Sequence, residues 1–364
     1  ELGNACDNDA DGDGIRVEND CNDYEYSLGL RLRDWDCDGI DNHPVDPQHL
    51  LVTGESVACI MDPSGAIQCG GQDHYDQTQV PEDPDGWSYR DWDSMDIAFS
   101  HGCGTRLNGD MICWGANYDG RASPPVFDED GHRIEWHRVT TGFAHTCGLS
   151  TSGRMYCFGS NYDGQCDVPQ DPNTELPYVF KTIDAGAFHS CGITIDDHLV
   201  CFGSRNSLQR PTQVNPNDRF LQIAASREHS CALRLNGEIQ CWARDGFMEV
   251  PRNADGNALT DWVSLSAGRY HTCGLRASGE IKCFGTNTDG QYALETLDRS
   301  FIAVAAGGRY TCAVDREQNV YCAGDNEYDQ ISQMQGRFVY KRSGPDNCDS
   351  LFNPDQIDEN NNGI

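Results

Sequence analysis

VTTGFAHTCGLSTSGRMYCFGSNYDGQ, residues 139–165, carries the plan of most of this chain. A short apolar run leads into HTCGLS; a Thr-Ser-Gly turn, RMYCFG and Asn-Tyr-Asp-Gly follow. Two runs of about five residues around a glycine turn predict a β-hairpin. Cys147 and Cys157 lie equally far from a midpoint beside Gly153, so the hairpin sets them opposite each other. A non-hydrogen-bonded antiparallel pair brings Cα atoms to about 4.5 Å, the short end of what a disulfide spans.

The same ten-residue spacing recurs in Cys59–Cys69, Cys103–Cys113, Cys191–Cys201, Cys231–Cys241, Cys273–Cys283 and Cys312–Cys322. Successive units advance by 44, 44, 44, 40, 42 and 39 residues. A period near forty means repeated supersecondary units. Each bridge should stabilise by roughly 2–3 kcal/mol, which matters in a chain 38% hydrophobic with mean hydropathy −0.62. Reduced cysteines could instead fill small apolar sites, but sevenfold repetition of one spacing argues for disulfides. Structural zinc calls for closer pairs, about two to four residues apart. Disulfides in this number place the chain outside the cytoplasm, extracellular or on a cell surface.

The unit [FY]-x-H-[ST]-C-[GA]-[LIV]-x-x-x-G-x-[IMV]-x-C-[WF]-G-x-N-x-D-G-Q resembles the regulator of chromosome condensation repeat. The clearest copies are HTCGLSTSGRMYCFGSNYDGQ and HTCGLRASGEIKCFGTNTDGQ, and the resemblance spans residues 47–343. Val57 stands where the first copy should have histidine; in the seventh, Tyr310 replaces the histidine and Ala323 the aromatic. Seven copies imply, from the family, an all-β fold: a seven-bladed β-propeller with one hairpin disulfide per blade. The residues point the same way. Each unit opens with an apolar strand such as FKTIDAG (180–186) or WVSLSAG (262–268), and no segment reads as an amphipathic helix. Radial closure limits exposed strand edges, and FVYKRS (338–343) is expected to help close the ring.

Charge is concentrated at the ends. Of the formal −32, residues 1–46 carry −11 and residues 344–364 carry −5. An acidic run is ordinarily a solvated tail, but here the carboxylates alternate. CDNDADGDGIRVENDC sets Asp9, Asp11 and Asp13 before Gly14, with Asp20 further on and Asp7 and Glu18 in a second register. DWDCDGIDNHPVD repeats the pattern with Asp34, Asp36, Asp38, Asp41 and Asp46; NPDQIDENNNGI offers Asp355, Asp358, Asn360 and Asn362. Alternate carboxylates on a tightly turning loop converge on a hard cation. These stretches resemble thrombospondin type 3 repeats, which implies bound Ca²⁺, with the asparagines marking a weaker site.

The resulting domains are 1–46, a calcium-binding segment; 47–343, the propeller; and 344–364, a partial calcium-binding segment. Cys21 and Cys37 can pair with each other. Written before the N-terminal text, the C-terminal text continues as one type 3 stretch, with Cys348 and Cys6 bracketing a loop as in that family. Cys166 is then the unpaired one of nineteen cysteines. A head-to-tail join between subunits, or between units of a longer tandem chain, follows from this reading; excision from a protein with several type 3 repeats is the alternative.

Five histidines precede the first cysteine by two residues: His101, His145, His189, His229 and His271. A hydrogen-bonded histidine fixing each blade accounts for them better than a metal or proton relay. The Asn-x-Asp-Gly runs at Asn117, Asn161 and Asn287 read as turns. No nucleophile elbow, phosphate-cradling loop or His-Glu-x-x-His motif occurs, so no catalytic residue is assigned and an enzyme is not expected. A pI near 4.4 disfavours nucleic acid. No apolar run approaches the ~20 residues of a membrane span, and a secretory signal is expected to have been removed or omitted. The expected function is a secreted, calcium-binding structural or adhesive protein that joins to itself or to adjacent units. The alternatives are a monomeric binder of other extracellular proteins or glycans, on the pattern of secreted β-lactamase inhibitor proteins with a similar propeller, and an extracellular enzyme.

Overall fold

The structure, a computed structural model, describes residues 50–336 except 63–64, 173, 205–209, 212–213 and 244–247. Among these residues lie seven three-stranded antiparallel sheets, each made of strands consecutive in sequence. In the third, the inner strand Trp136–Thr141 pairs with the middle strand His145–Ser150, which pairs with the outer strand Met155–Gly159. The other six repeat this plan. Inner strands and the loops after them, from all seven sheets, surround a central cavity of about 270 Å³. The chain is a seven-bladed β-propeller.

The hairpin register is the one the cysteine spacing implies. Cys147 faces Cys157, and every other pair is likewise in direct register. All seven bridges are formed, with Cα separations of 4.0–4.1 Å. The first cysteine of each pair is at most 1% exposed. Each bridge therefore ties a core position to the outer strand of its blade.

Six blades begin on a buried aromatic: Trp92, Trp136, Phe180, Phe220, Trp262 and Phe301. The next residue is bulged out of register in each case; a bulge re-aims a strand and increases its twist. The ring then lies across the middle strand of its own blade. A Cβ on Gly148 would meet the Trp136 ring at 2.4 Å, and one on Gly192 the Phe180 ring at 2.4 Å. That is why glycine follows the first cysteine in these blades. The apolar clusters run between neighbouring blades; Leu149 and Met155 of the third, for example, pack with Phe180 and Ile183 of the fourth.

The ring closes between the seventh blade and the first. Tyr310 Oη donates to the Val57 carbonyl at 2.7 Å, and the Gly308 amide to the Gly54 carbonyl at 3.1 Å. A five-residue helix, Gln330–Met334, buries Met334 in the cluster shared by these blades. Gln333 Oε1 accepts the Gly71 amide at 3.2 Å. Residues 338–343, expected to assist closure, lie outside the described residues.

Candidate functional site

The recurrent histidines do more than fix single blades. Each reaches the next blade, where Nε2 meets the hydroxyl of the residue before the first cysteine. The pairs are His101–Thr146 at 2.8 Å, His145–Ser190 at 2.9 Å, His189–Ser230 at 2.8 Å, His229–Thr272 at 2.6 Å and His271–Thr311 at 2.8 Å. Thr146 and Ser190 spend their own protons on the Arg121 and Gln165 carbonyls, each at 2.8 Å. Those hydroxyls accept, so Nε2–H is the donor. Burial is the largest cause holding His101, His145 and His229 down to about 3 and His189 and His271 to about 4. They are neutral struts.

The departures noted in the sequence fit the same scheme. The first blade has Val57-Ala58 where the third to sixth have histidine and a hydroxyl residue; the second has His101-Gly102, so no hydroxyl faces Val57. With no hydroxyl at position 58, the seventh blade supplies a longer tyrosine that reaches the main chain instead.

A second set of bonds runs around the cavity from the second blade to the seventh. Asp96 Oδ2 accepts the Thr141 amide at 2.6 Å and its hydroxyl at 3.0 Å. Thr140 Oγ1 accepts the Ala185 amide and donates to Asp184 Oδ1, both at 3.0 Å. Asp184 Oδ2 accepts the Ala225 amide at 2.6 Å, Gln222 Oε1 the Leu265 amide at 2.9 Å, and Ser266 Oγ the Ala306 amide at 2.9 Å. Burial raises the Asp96 carboxyl and lifts Asp184 to about 7, against these amides and hydroxyls. The two carboxylates thus hold blades together at an electrostatic cost.

At one mouth of the cavity, the loops between inner and middle strands bring Phe99 and Phe143 into a stack 5.3 Å apart, with Phe188 6.1 Å beyond. Arg227 lays its guanidinium 5.3 Å from the Phe143 ring centre. Opposite, Arg269 of the sixth blade pairs with Glu55 of the first. Glu55 in turn packs on Gly308 of the seventh blade, where a Cβ would lie 2.3 Å from the Glu55 carbonyl oxygen.

The turns that follow the outer strands lie on this face too. Asn117, Asn161 and Asn287 each use Oδ1 to accept the amide five residues on, at 2.8–3.0 Å. Asp73 and Asn326 do the same in the first and seventh blades. Gln77, Gln165, Gln291 and Gln330 accept a second turn amide at 2.8–3.1 Å. Gly120, Gly164 and Gly290 have φ of 77–83°. These runs are turns, as expected, and they leave their middle residues pointing outward. Tyr118 is 62% and Tyr162 88% exposed, while Tyr75 lies 6.1 Å from Phe99 and 6.3 Å from Tyr118. The sequence reading missed this aromatic face, although repeated Tyr-Asp pairs at 75–76, 118–119, 162–163 and 328–329 were the available signal.

The proposed calcium ligands (Asp7, Asp9, Asp11, Asp13, Glu18, Asp20, Asp34, Asp36, Asp38, Asp41, Asp46, Asp355, Asp358, Asn360 and Asn362) lie outside the described residues. So do Cys6, Cys21, Cys37 and Cys348. Cys166 is a free thiol, half-buried, with Sγ 3.4 Å from the Ser160 carbonyl; burial pushes it up to about 11.

This geometry defines a disulfide-stapled, seven-bladed propeller with one aromatic loop face. Residues 136–165, 180–209, 262–291 and 301–330 match the regulator of chromosome condensation (RCC1) repeat family. The seventh blade, with its tyrosine, is among the four. No curated protein matches the chain. Among solved structures, the CRINKLY WD40 ectodomain of the Arabidopsis thaliana receptor kinase ACR4 superposes with a TM-score of 0.59 at 20% identity, covering 77% of this chain and 96% of that one. The ectodomain of the Physcomitrella patens receptor kinase CR4 gives 0.58 at 22%, covering 75% and 71%. Prp20p of Saccharomyces cerevisiae gives 0.55 at 14%, covering 78% and 84%. At these identities the likeness concerns the fold.

Proposed function

We propose that the chain is a secreted, calcium-binding structural and interaction protein, in which a rigid propeller is joined through its acidic flanks. The join is head-to-tail with another copy or to adjacent units of a longer chain. The observation that carries this reading is one inter-strand disulfide in every blade, an investment that persists in oxidising compartments. The ectodomain folds of ACR4 and CR4 are compatible with such a setting. Catalysis is not part of the proposal, because the recurrent histidines are committed to interblade bonds. Ca²⁺ is the proposed ion for the carboxylates of residues 1–46 and 346–364, on the chemistry of alternating oxygen donors.

The test takes the full chain with millimolar Ca²⁺ or with chelator. Bound calcium by metal analysis, filaments in electron micrographs that chelator disperses, and a non-reducing ladder that reductant collapses are the expected results. Bound calcium with a single monomeric species throughout supports the second reading, a monomeric binding module, which the aromatic face favours. Free thiols in the fourteen blade cysteines of protein taken from its native location would overturn both.

A further inference from the structure

From the aromatic loop face we infer a docking surface for a cationic, arginine-bearing segment of another protein, centred on the Tyr-Asp tips of the second and third blades. The inference is independent of calcium in the flanks.

Three observations carry it. First, the tips are rigid. Asn117 and Asn161 lock their turns through side-chain oxygens at 2.9 and 2.8 Å, so exposed Tyr118 and Tyr162 are presented with little ordering left to do. Preorganised display lowers the cost of association. Second, the rings of this face already hold guanidinium groups. Arg121 lies 5.7 Å from the Tyr118 ring centre and 3.4 Å from Asp119 Oδ2, and Arg227 covers Phe143. A ring beside a carboxylate is the combination that recognises arginine. In the third blade Gln165 replaces Arg121, and Tyr162, 88% exposed beside Asp163, has no arginine from its own turn.

Third, the charge of the face is complementary. Asp76, Asp119, Asp163 and Asp329 stand at the tips, all exposed, with Asp119 already sharing one oxygen with Arg121. The arginines nearby are already matched: Arg309 by Asp289, Asp325 and Glu327, and Arg269 by Glu55. A basic segment is the occupant that gains from both rings and carboxylates. A neutral glycan would use the rings and hydrogen-bond the carboxylates but leave their charge uncompensated.

The experiment uses the full chain in chelator at physiological salt, with a deca-arginine peptide as probe and deca-lysine and a neutral oligosaccharide as comparators. Deca-arginine should bind several-fold more tightly than deca-lysine, because guanidinium stacks on rings where ammonium does so less well. The double variant Tyr118→Ala/Tyr162→Ala, which leaves net charge unchanged, should weaken deca-arginine by about tenfold with no change in melting temperature. If the double variant binds deca-arginine as the parent does, the acidic flanks or bulk charge carry the binding and the proposal fails. Binding of the oligosaccharide but not of deca-arginine, lost in the same variant, also overturns it in favour of a glycan. A second variant, Asp119→Asn/Asp163→Asn, should weaken binding too if ring and carboxylate act together; unchanged affinity there refutes the paired site.

Discussion

At the residue scale, the five interblade histidines and the two cavity aspartates give the protein opposed pH responses. An unfolded histidine titrates near 6.5, whereas the folded ones sit at about 3–4. Between those values the unfolded chain binds more protons, so stability falls as pH drops below about 6.5, by about 1.4 kcal/mol per pH unit for each histidine. Asp184 runs the other way. Its folded value of about 7 exceeds the ordinary 3.8, so its contribution is complete below 3.8 and is lost as pH rises through 7; Asp96 shifts in the same direction. Five protons taken up against as many as two released leave a slope of about 4 kcal/mol per unit. Urea unfolding at pH 5.0, 5.5 and 6.0 should show that steep acid limb. His145→Gln should flatten it by about one proton, and a flat profile over this range would contradict the neutral-strut reading.

At the scale of strands and turns, each blade is closed by its own bridge, while its neighbours hold it by hydrogen bonds and apolar packing. Replacing Cys147 and Cys157 together by alanine should cost roughly 3 kcal/mol and leave the fold intact, as thermal melting would report. The helix Gln330–Met334 matters differently, because it joins the last blade to the first. Met334 is fully buried, and Met334→Ala should cost about 2–5 kcal/mol. Hydrogen exchange would localise that loss to Val57–Met61 and Tyr310–Asp315 before His145–Ser150; uniform loss would deny the helix its role at the seam. These elements differ in how legible they were. Cysteines ten apart around a turn glycine predict the hairpin, since local chain geometry alone sets them opposite. The tyrosine and short helix at the seam depend on which residues meet across the ring, a contact some 250 positions long in sequence. The destination of each histidine was hidden for the same reason: the repeat shows that it recurs, while only the ring shows that its partner belongs to the next blade. The aromatic face went unseen because turn residues were read for their backbone role and not for what the turn displays.

At the scale of the whole molecule, closure is what separates this ring from an open stack of repeats. Open repeat arrays unfold approximately by units and nearest-neighbour interfaces, whereas here every interface is bonded, seven-to-one through Tyr310 and one-to-two through Trp114 Nε1–H, which donates to the Gln77 carbonyl at 2.9 Å. The parent protein is therefore expected to lose secondary structure and tryptophan burial in one coincident transition. Two glycines allow that expectation to be tested at different points of the circle. A Cβ on Gly307 would meet Tyr310 Cε1 at 2.3 Å and the Gly54 carbonyl oxygen at 2.8 Å, wedging the seam. One on Gly142 would meet His145 Cε1 at 2.2 Å and the Gly186 carbonyl oxygen at 2.6 Å, wedging the third blade from the fourth. If closure confers cooperativity, Gly307→Ala and Gly142→Ala each turn the ring into an open array with two new ends. Circular dichroism and tryptophan fluorescence should then melt at separate temperatures in both variants. Exchange protection should vanish first beside whichever interface was wedged: blades seven and one in the former, three and four in the latter. Coincident melting in both variants, with protection lost evenly around the circle, would mean that each blade pair is stable without closure.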